Sequence, residues 1–146
     1  MIGFPYEVNA LLQEIEARIG AVRILYEPDT DPEILGLVDQ LQRLPIRLAA
    51  NDGSGEAWFN ERREFFGGWV QTFLQTIPQP EEPILSRGRP IAVGWRVVNA
   101  MARRAERLDV GDNAWYREAL GMLYQLAWQL SLFENHSEGV SEIPVG

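Results

Sequence analysis

Leu11, Leu12, Ile15, Ile19, Val22 and Tyr26 recur three and four residues apart, with Glu14, Glu16, Arg18 and Arg23 on the other faces. That period predicts a helix from Tyr6 to Tyr26, with Pro5 tolerated near its start and Pro28 stopping it. A second helix follows the turn Glu27-Pro28-Asp29-Thr30-Asp31. Asp31 suits the N-cap, Pro32 the first helical position, and Glu33 the positive end of the dipole. Its stripe is Ile34, Leu37, Val38, Leu41 and Leu44, and Pro45 is expected to kink or end it. Asn51-Asp52-Gly53-Ser54-Gly55 reads as a loop.

A third helix is expected from Glu56 to Ile77, with a broad aromatic face of Trp58, Phe59, Phe65, Phe66, Trp69 and Phe73. Gly67-Gly68 within it points to a kink or a close helix contact. Pro78 to Pro90 holds four prolines and reads as an extended strap from one end of a bundle to the other. A fourth helix spans Ile91 to Leu108, with Val97, Met101, Ala105 and Leu108 expected to pack inward. After the turn Val110-Gly111-Asp112-Asn113, Asp112 or Asn113 caps a fifth helix that runs to Glu134.

The pattern predicts a mainly α fold, an irregular five-helix bundle with a proline-rich crossover. It reads as one helical domain over 1–135 and a flexible acidic C-terminal tail over 136–146, mobile or docked as an extended peptide. The alternative is α+β. Val22 to Tyr26 and Pro45 to Ala49 are β-branched enough to be strands around a helix, a β–α–β unit near residues 22–49.

The fifth helix sharpens the picture. Ala119 to Phe133 is an uncharged run of fifteen residues in a chain that is 23% charged. A helix apolar nearly all round is buried on every side, by its own domain or by a partner. If a partner covers it, Trp115, Met122, Tyr124, Trp128 and Leu132 are the candidate hydrophobic interface. Trp, Tyr and Met are the types enriched at such surfaces. The run is too short to span a membrane, and Gln125, Gln129 and Ser131 interrupt it.

Composition narrows the chemistry. There is no cysteine and no lysine, and His136 is the only histidine. Thiolate catalysis, cysteine-based metal sites and Schiff-base lysines are therefore excluded. Catalytic triads and Glu-x-x-His dimetal sites are equally hard to build. No signal-peptide pattern opens the chain, so the cytoplasm is the expected location. The Asn135-His136-Ser137 sequon carries no weight without secretion. The net charge of −8 disfavours broad attachment to nucleic acid or an anionic membrane.

Against that balance stands one basic stretch. Ile84 to Leu108 holds six arginines and one acid. Arg96, Arg103 and Arg107 fall within about 40° of one another on a helix, Arg104 borders them, and Arg87 and Arg89 precede them in the strap. These six are the candidate anion or partner docking residues, able to take a phosphate, a nucleic-acid strand or an acidic partner, or else to pair with the chain's own acids. No glycine-rich phosphate loop accompanies them.

Other clusters are weaker. Glu27, Asp29, Asp31, Glu33 and Asp39 form an acidic stretch, but Pro32 and a missing glycine break the calcium-loop pattern. Glu61 and Glu64 form an acid pair one turn apart, with Arg62 and Arg63 beside them.

No catalytic, metal or cofactor motif emerges, and no cofactor is expected. The residues point to a non-catalytic protein–protein interaction, assembly or adaptor subunit of a larger complex. Its partner would be another protein or a second copy in a homodimer. The alternative is a nucleic-acid-associated helical subunit using the arginines on phosphates. A third reading, an enzyme limited to carboxylate and arginine chemistry, needs a deep pocket joining Glu61 or Glu64 to an arginine.

Overall fold

The computed structural model describes residues 6–50, 53–108, 111 and 113–146. Among the described residues there are five helices: α1 Tyr6–Ile24, α2 Pro32–Ala49, α3 Ser54–Thr76, α4 Pro90–Glu106 and α5 Ala114–Ser137. Among the described residues there is no strand, only an isolated antiparallel bridge between Ile84 and Pro144. The β–α–β alternative is thereby corrected. Val22 lies in the last turn of α1, which ends at Ile24, and Pro45 to Ala49 end α2; Val22 and Leu48 extend the buried stripes of those helices. Pro5, Asn51, Asp52, Val110 and Asp112, which the sequence reading placed in a first turn, a loop, a turn and a cap, lie outside the described residues.

Local chemistry accounts for the boundaries. The Asp31 carboxylate accepts the Glu33 amide at 2.9 Å, and Pro32 starts α2. Pro45 does not end that helix. Leu37, Leu41, Leu44 and Leu48 keep one buried line through it, and this packing holds the helix past the hydrogen bond that proline cannot make. Gly67-Gly68 does not interrupt α3.

α5 is the centre of the bundle. It packs on α4, α3 and α2, while α1 packs on α2 and α4. Ala119, Leu120, Leu123, Leu126, Ala127 and Leu130 are fully buried. The uncharged run is thus covered chiefly by its own chain. α3 and α4 flank it without packing on each other, and they leave a strip of its outer face open between them.

α4 sits differently from its expected rotation. Val97 is 38% exposed, and the inward face is Ile91, Ala92, Trp95, Val98, Ala102 and Ala105. Alanines decide this. Ala92, Ala102 and Ala105 let the helix approach closely, and Trp95 fills the space they leave. The rotation turns Arg96 inward to 5% exposure.

α5 continues through Ser137. Beyond Gly139 the chain returns along the strap, where the Leu85 amide donates to Ile143 O at 2.8 Å and the Val145 amide to Pro83 O at 2.9 Å. Among the described residues, no helix is long and apolar enough to cross a membrane.

Candidate functional site

The six arginines do not act as one stripe. Arg96 is consumed inside the fold by Ser131, the Leu85 carbonyl and Glu142. Arg89 donates to Glu134 Oε1 at 3.0 Å. Arg104 stands 3.9 Å from Glu14 with both side chains about two-thirds exposed, a separation that contributes little. Arg87, Arg103 and Arg107 are exposed and form no ion pair with a described residue. The available cations therefore lie at the C-terminal end of α4, in Arg103, Arg104 and Arg107, with Arg87 apart in the strap.

Arg103 opens onto a groove of about 490 Å³ over the exposed strip of α5. Val70 and Leu74 of α3 form one wall, Asn99 and Arg103 of α4 the other, and Tyr124, Gln125, Trp128 and Gln129 the floor. The mixture is specific. Two aromatic rings offer stacking surfaces, three carboxamides offer paired donors and acceptors, and one arginine supplies charge. Carboxamides can read a purine edge in the way Asn and Gln read adenine. Asn99 Nδ2 donates to the Tyr124 carbonyl at 2.7 Å, which fixes its side chain across the groove. Gln129 exchanges two 2.8 Å hydrogen bonds with Gln79, locking the floor to the strap.

The candidate interface residues divide as well. Met122, Tyr124 and Trp128 are half-buried on the open strip, and the latter two line the groove. Trp115 covers Gly55, and Leu132, at 2% exposure, belongs to the core. Sequence reasoning missed Asn99, Gln125 and Gln129. Their only signal was position, since Asn99 and Arg103 are one turn apart, as are Gln125 and Gln129.

The other clusters singled out in the sequence are placed as follows. Glu61 and Glu64 are exposed on the wall of an open groove of about 950 Å³ between α2 and α3. Arg62 lines the same groove and donates to Glu61 at 3.3 Å as well as to Gln40 and the Trp58 carbonyl, but both acids stand at the open surface, so the deep acid–arginine pocket of the carboxylate reading is not formed there. In the acidic stretch Asp31 caps α2 and Asp39 pairs with Arg23. No group of three or more potential ligands among the described residues could hold a metal ion. His136 is exposed near the end of α5.

A buried polar cluster closes the opposite end of α4. Trp95 Nε1 donates to Tyr26 Oη at 2.8 Å, and Glu134 lies beside them with Arg89. Burial pushes the Tyr26 phenol far above its ordinary value, so it stays neutral. Burial also raises Glu134, against the hydrogen bond from Tyr26 and the charge of Arg89. Tyr116 is likewise pushed up by burial, to about 12.

No protein-family model matches the chain, and no curated protein matches it in sequence. Solved structures do match in fold. An arginine-to-lysine variant of a PduO-type ATP:corrinoid adenosyltransferase from Lactobacillus reuteri, complexed with ATP, superposes with a TM-score of 0.80 at 16% identity. The match covers 96% of this chain and 86% of that one. A phenylalanine-to-alanine variant from the same organism, complexed with cobalamin and ATP, superposes at 0.77 with 16% identity over 94% of this chain and 83% of that one. A phenylalanine-to-histidine variant with the same two ligands gives 0.71 at 17% identity, over 94% and 81%.

These matches correct the expected function. A non-catalytic adaptor or assembly subunit was inferred chiefly from missing motifs, and a nucleic-acid-associated one from the arginines of α4 and the strap. The fold is instead one that ATP:corrinoid adenosyltransferases, which are enzymes, are built on.

Proposed function

We propose that this chain is an ATP-using enzyme of the corrinoid adenosyltransferase type, with ATP seated in the groove between α3 and α4. The observation that carries the reading is Arg103, exposed beside the carboxamides and aromatic rings of a groove in this fold. The adenine base would stack on Trp128 and Tyr124 and pair with Gln125 or Asn99. The triphosphate would run towards Arg103 and Arg107, which share one face of α4. Moving an adenosyl group off ATP leaves the triphosphate to carry the charge of the broken bond, so cations at that end would stabilise both the bound and the departing anion. Self-association belongs to this reading too. Leu74, 47% exposed on the groove wall, offers an apolar contact for a second copy.

The test is titration with ATP by calorimetry, followed by incubation with ATP and a reduced corrinoid and separation of products. Arg103→Ala should weaken ATP binding about 10-fold or more, as loss of a charge-assisted contact does. Arg87→Ala, outside the groove, should leave binding unchanged. No ATP binding by the wild type, and no adenosylated corrinoid, would sink the reading.

A further inference from the structure

Arg96 carries the most deeply buried positive charge of α4, its side chain 4% exposed. A guanidinium out of water is costly unless its N–H groups are paired. Nε donates to Ser131 Oγ at 3.1 Å, Nη1 to the Leu85 carbonyl at 2.7 Å, and Nη2 to both carboxylate oxygens of Glu142. Among the described residues no other carboxylate pairs with it. Glu142 is itself held, accepting from Asn135 Nδ2 at 2.9 Å. The backbone bonds of Ile143 and Val145 to the strap fix the segment that delivers it.

On its other side Arg96 meets the groove. Its Cζ lies 5.2 Å from the centre of the Trp128 ring, within cation–π range. Ser131, which accepts from Arg96, donates to the Trp128 carbonyl at 2.6 Å. Arg96, Asn99 and Arg103 also follow one another on a single face of α4, at spacings of three and four. A displacement of Arg96 therefore reaches the groove by two routes, through the Trp128 ring and through the helix that carries Asn99 and Arg103.

We infer that Glu142 is a positioning residue for the groove: its carboxylate holds Arg96, Arg96 holds the Trp128 ring, and that ring sets the stacking surface for a nucleotide base. Only the last step depends on the ATP reading above. Glu142 is not part of the groove lining. Without its charge the Arg96 guanidinium would be buried beside a neutral amide, and the favourable response is to move towards water and off the ring.

The experiment uses the full chain labelled with 5-fluorotryptophan. The five ¹⁹F resonances include one lost in Trp128→Phe, which identifies Trp128. In Glu142→Gln that resonance should shift or broaden while those of Trp58 and Trp115 stay in place. Glu142→Asp, which keeps the anion, should move it less. ATP affinity should fall about 5-fold in Glu142→Gln, consistent with indirect loss of one stacking contact, and should not change in Glu81→Gln, an exposed strap acid. An unmoved Trp128 resonance overturns the proposal, even if the melting temperature falls. So does a moved resonance with unchanged affinity in a wild type that binds ATP. If the wild type binds no ATP, the nucleotide reading fails, while the Glu142–Arg96–Trp128 link is still decided by the resonance.

Discussion

Trp95 is fully buried and carries one N–H, and Tyr26 Oη is its acceptor. Tyr26→Phe leaves that donor without a partner, at a cost of about 1–3 kcal/mol that urea denaturation would read directly. Glu134 makes a different prediction. Its carboxyl is raised above the ordinary 4.5, chiefly by burial. A raised carboxyl favours the folded state while protonated, and that contribution is lost as pH rises through the folded value. The wild type should therefore lose stability from this group just above the ordinary carboxylate range. In Glu134→Gln the fall in melting temperature from about pH 5 to 8 should be shallower, and an unchanged slope would contradict the assignment. Neither role was legible in the sequence. Tyr26 reads there as the last apolar residue of a helix, yet it lies two residues past the end of α1. Arg96 reads as a companion of Arg103, and its partner Glu142 lies 46 residues away in a segment without periodicity.

Glycines mark where elements approach and where they part. A Cβ on Gly55 would meet the carbonyl oxygen of Arg47, so backbone of α2 limits how α3 can begin. One on Gly36 would meet nothing within 4 Å. The two alanine substitutions should therefore differ in sign. Gly55→Ala should destabilise by about 2–3 kcal/mol through overpacking. Gly36→Ala should stabilise by up to about 1 kcal/mol through helix propensity. Thermal unfolding of both variants checks the pair. Helix existence was legible because the apolar stripes are long, and the lack of charge in α5 pointed to burial but left open whether its own chain or a partner covers it. Rotation was less legible. On α4 the buried alanines carry no strong hydrophobic signal, and Val97, which does, faces out. Pro45 misled similarly, since a stripe that continues through Leu48 outweighs one missing hydrogen bond.

At the scale of the molecule, the bundle was legible and the candidate site was not. Arg103 was legible as a candidate cation, but the groove joins Asn99 to Gln125, Trp128 and Gln129 only because α5 is central and α3 and α4 stand apart over it. No local spacing encodes that arrangement. The bridge between Ile84 and Pro144 has a further effect, on how the fold is assembled. It ties off a stretch of chain holding all of α4 and α5, and cyclising about 60 residues costs about 3–4 kcal/mol of chain entropy. That cost is tolerable only after the two helices have paired and brought the ends together. The clasp then fastens last and opens first. The amides of Leu85 and Val145 should exchange with deuterium well before those of Leu123 and Leu126, through an opening that leaves the helices intact. Mass spectrometry of fragments from the two regions would time the steps separately, and simultaneous exchange would mean that the clasp and the hairpin form a single cooperative unit.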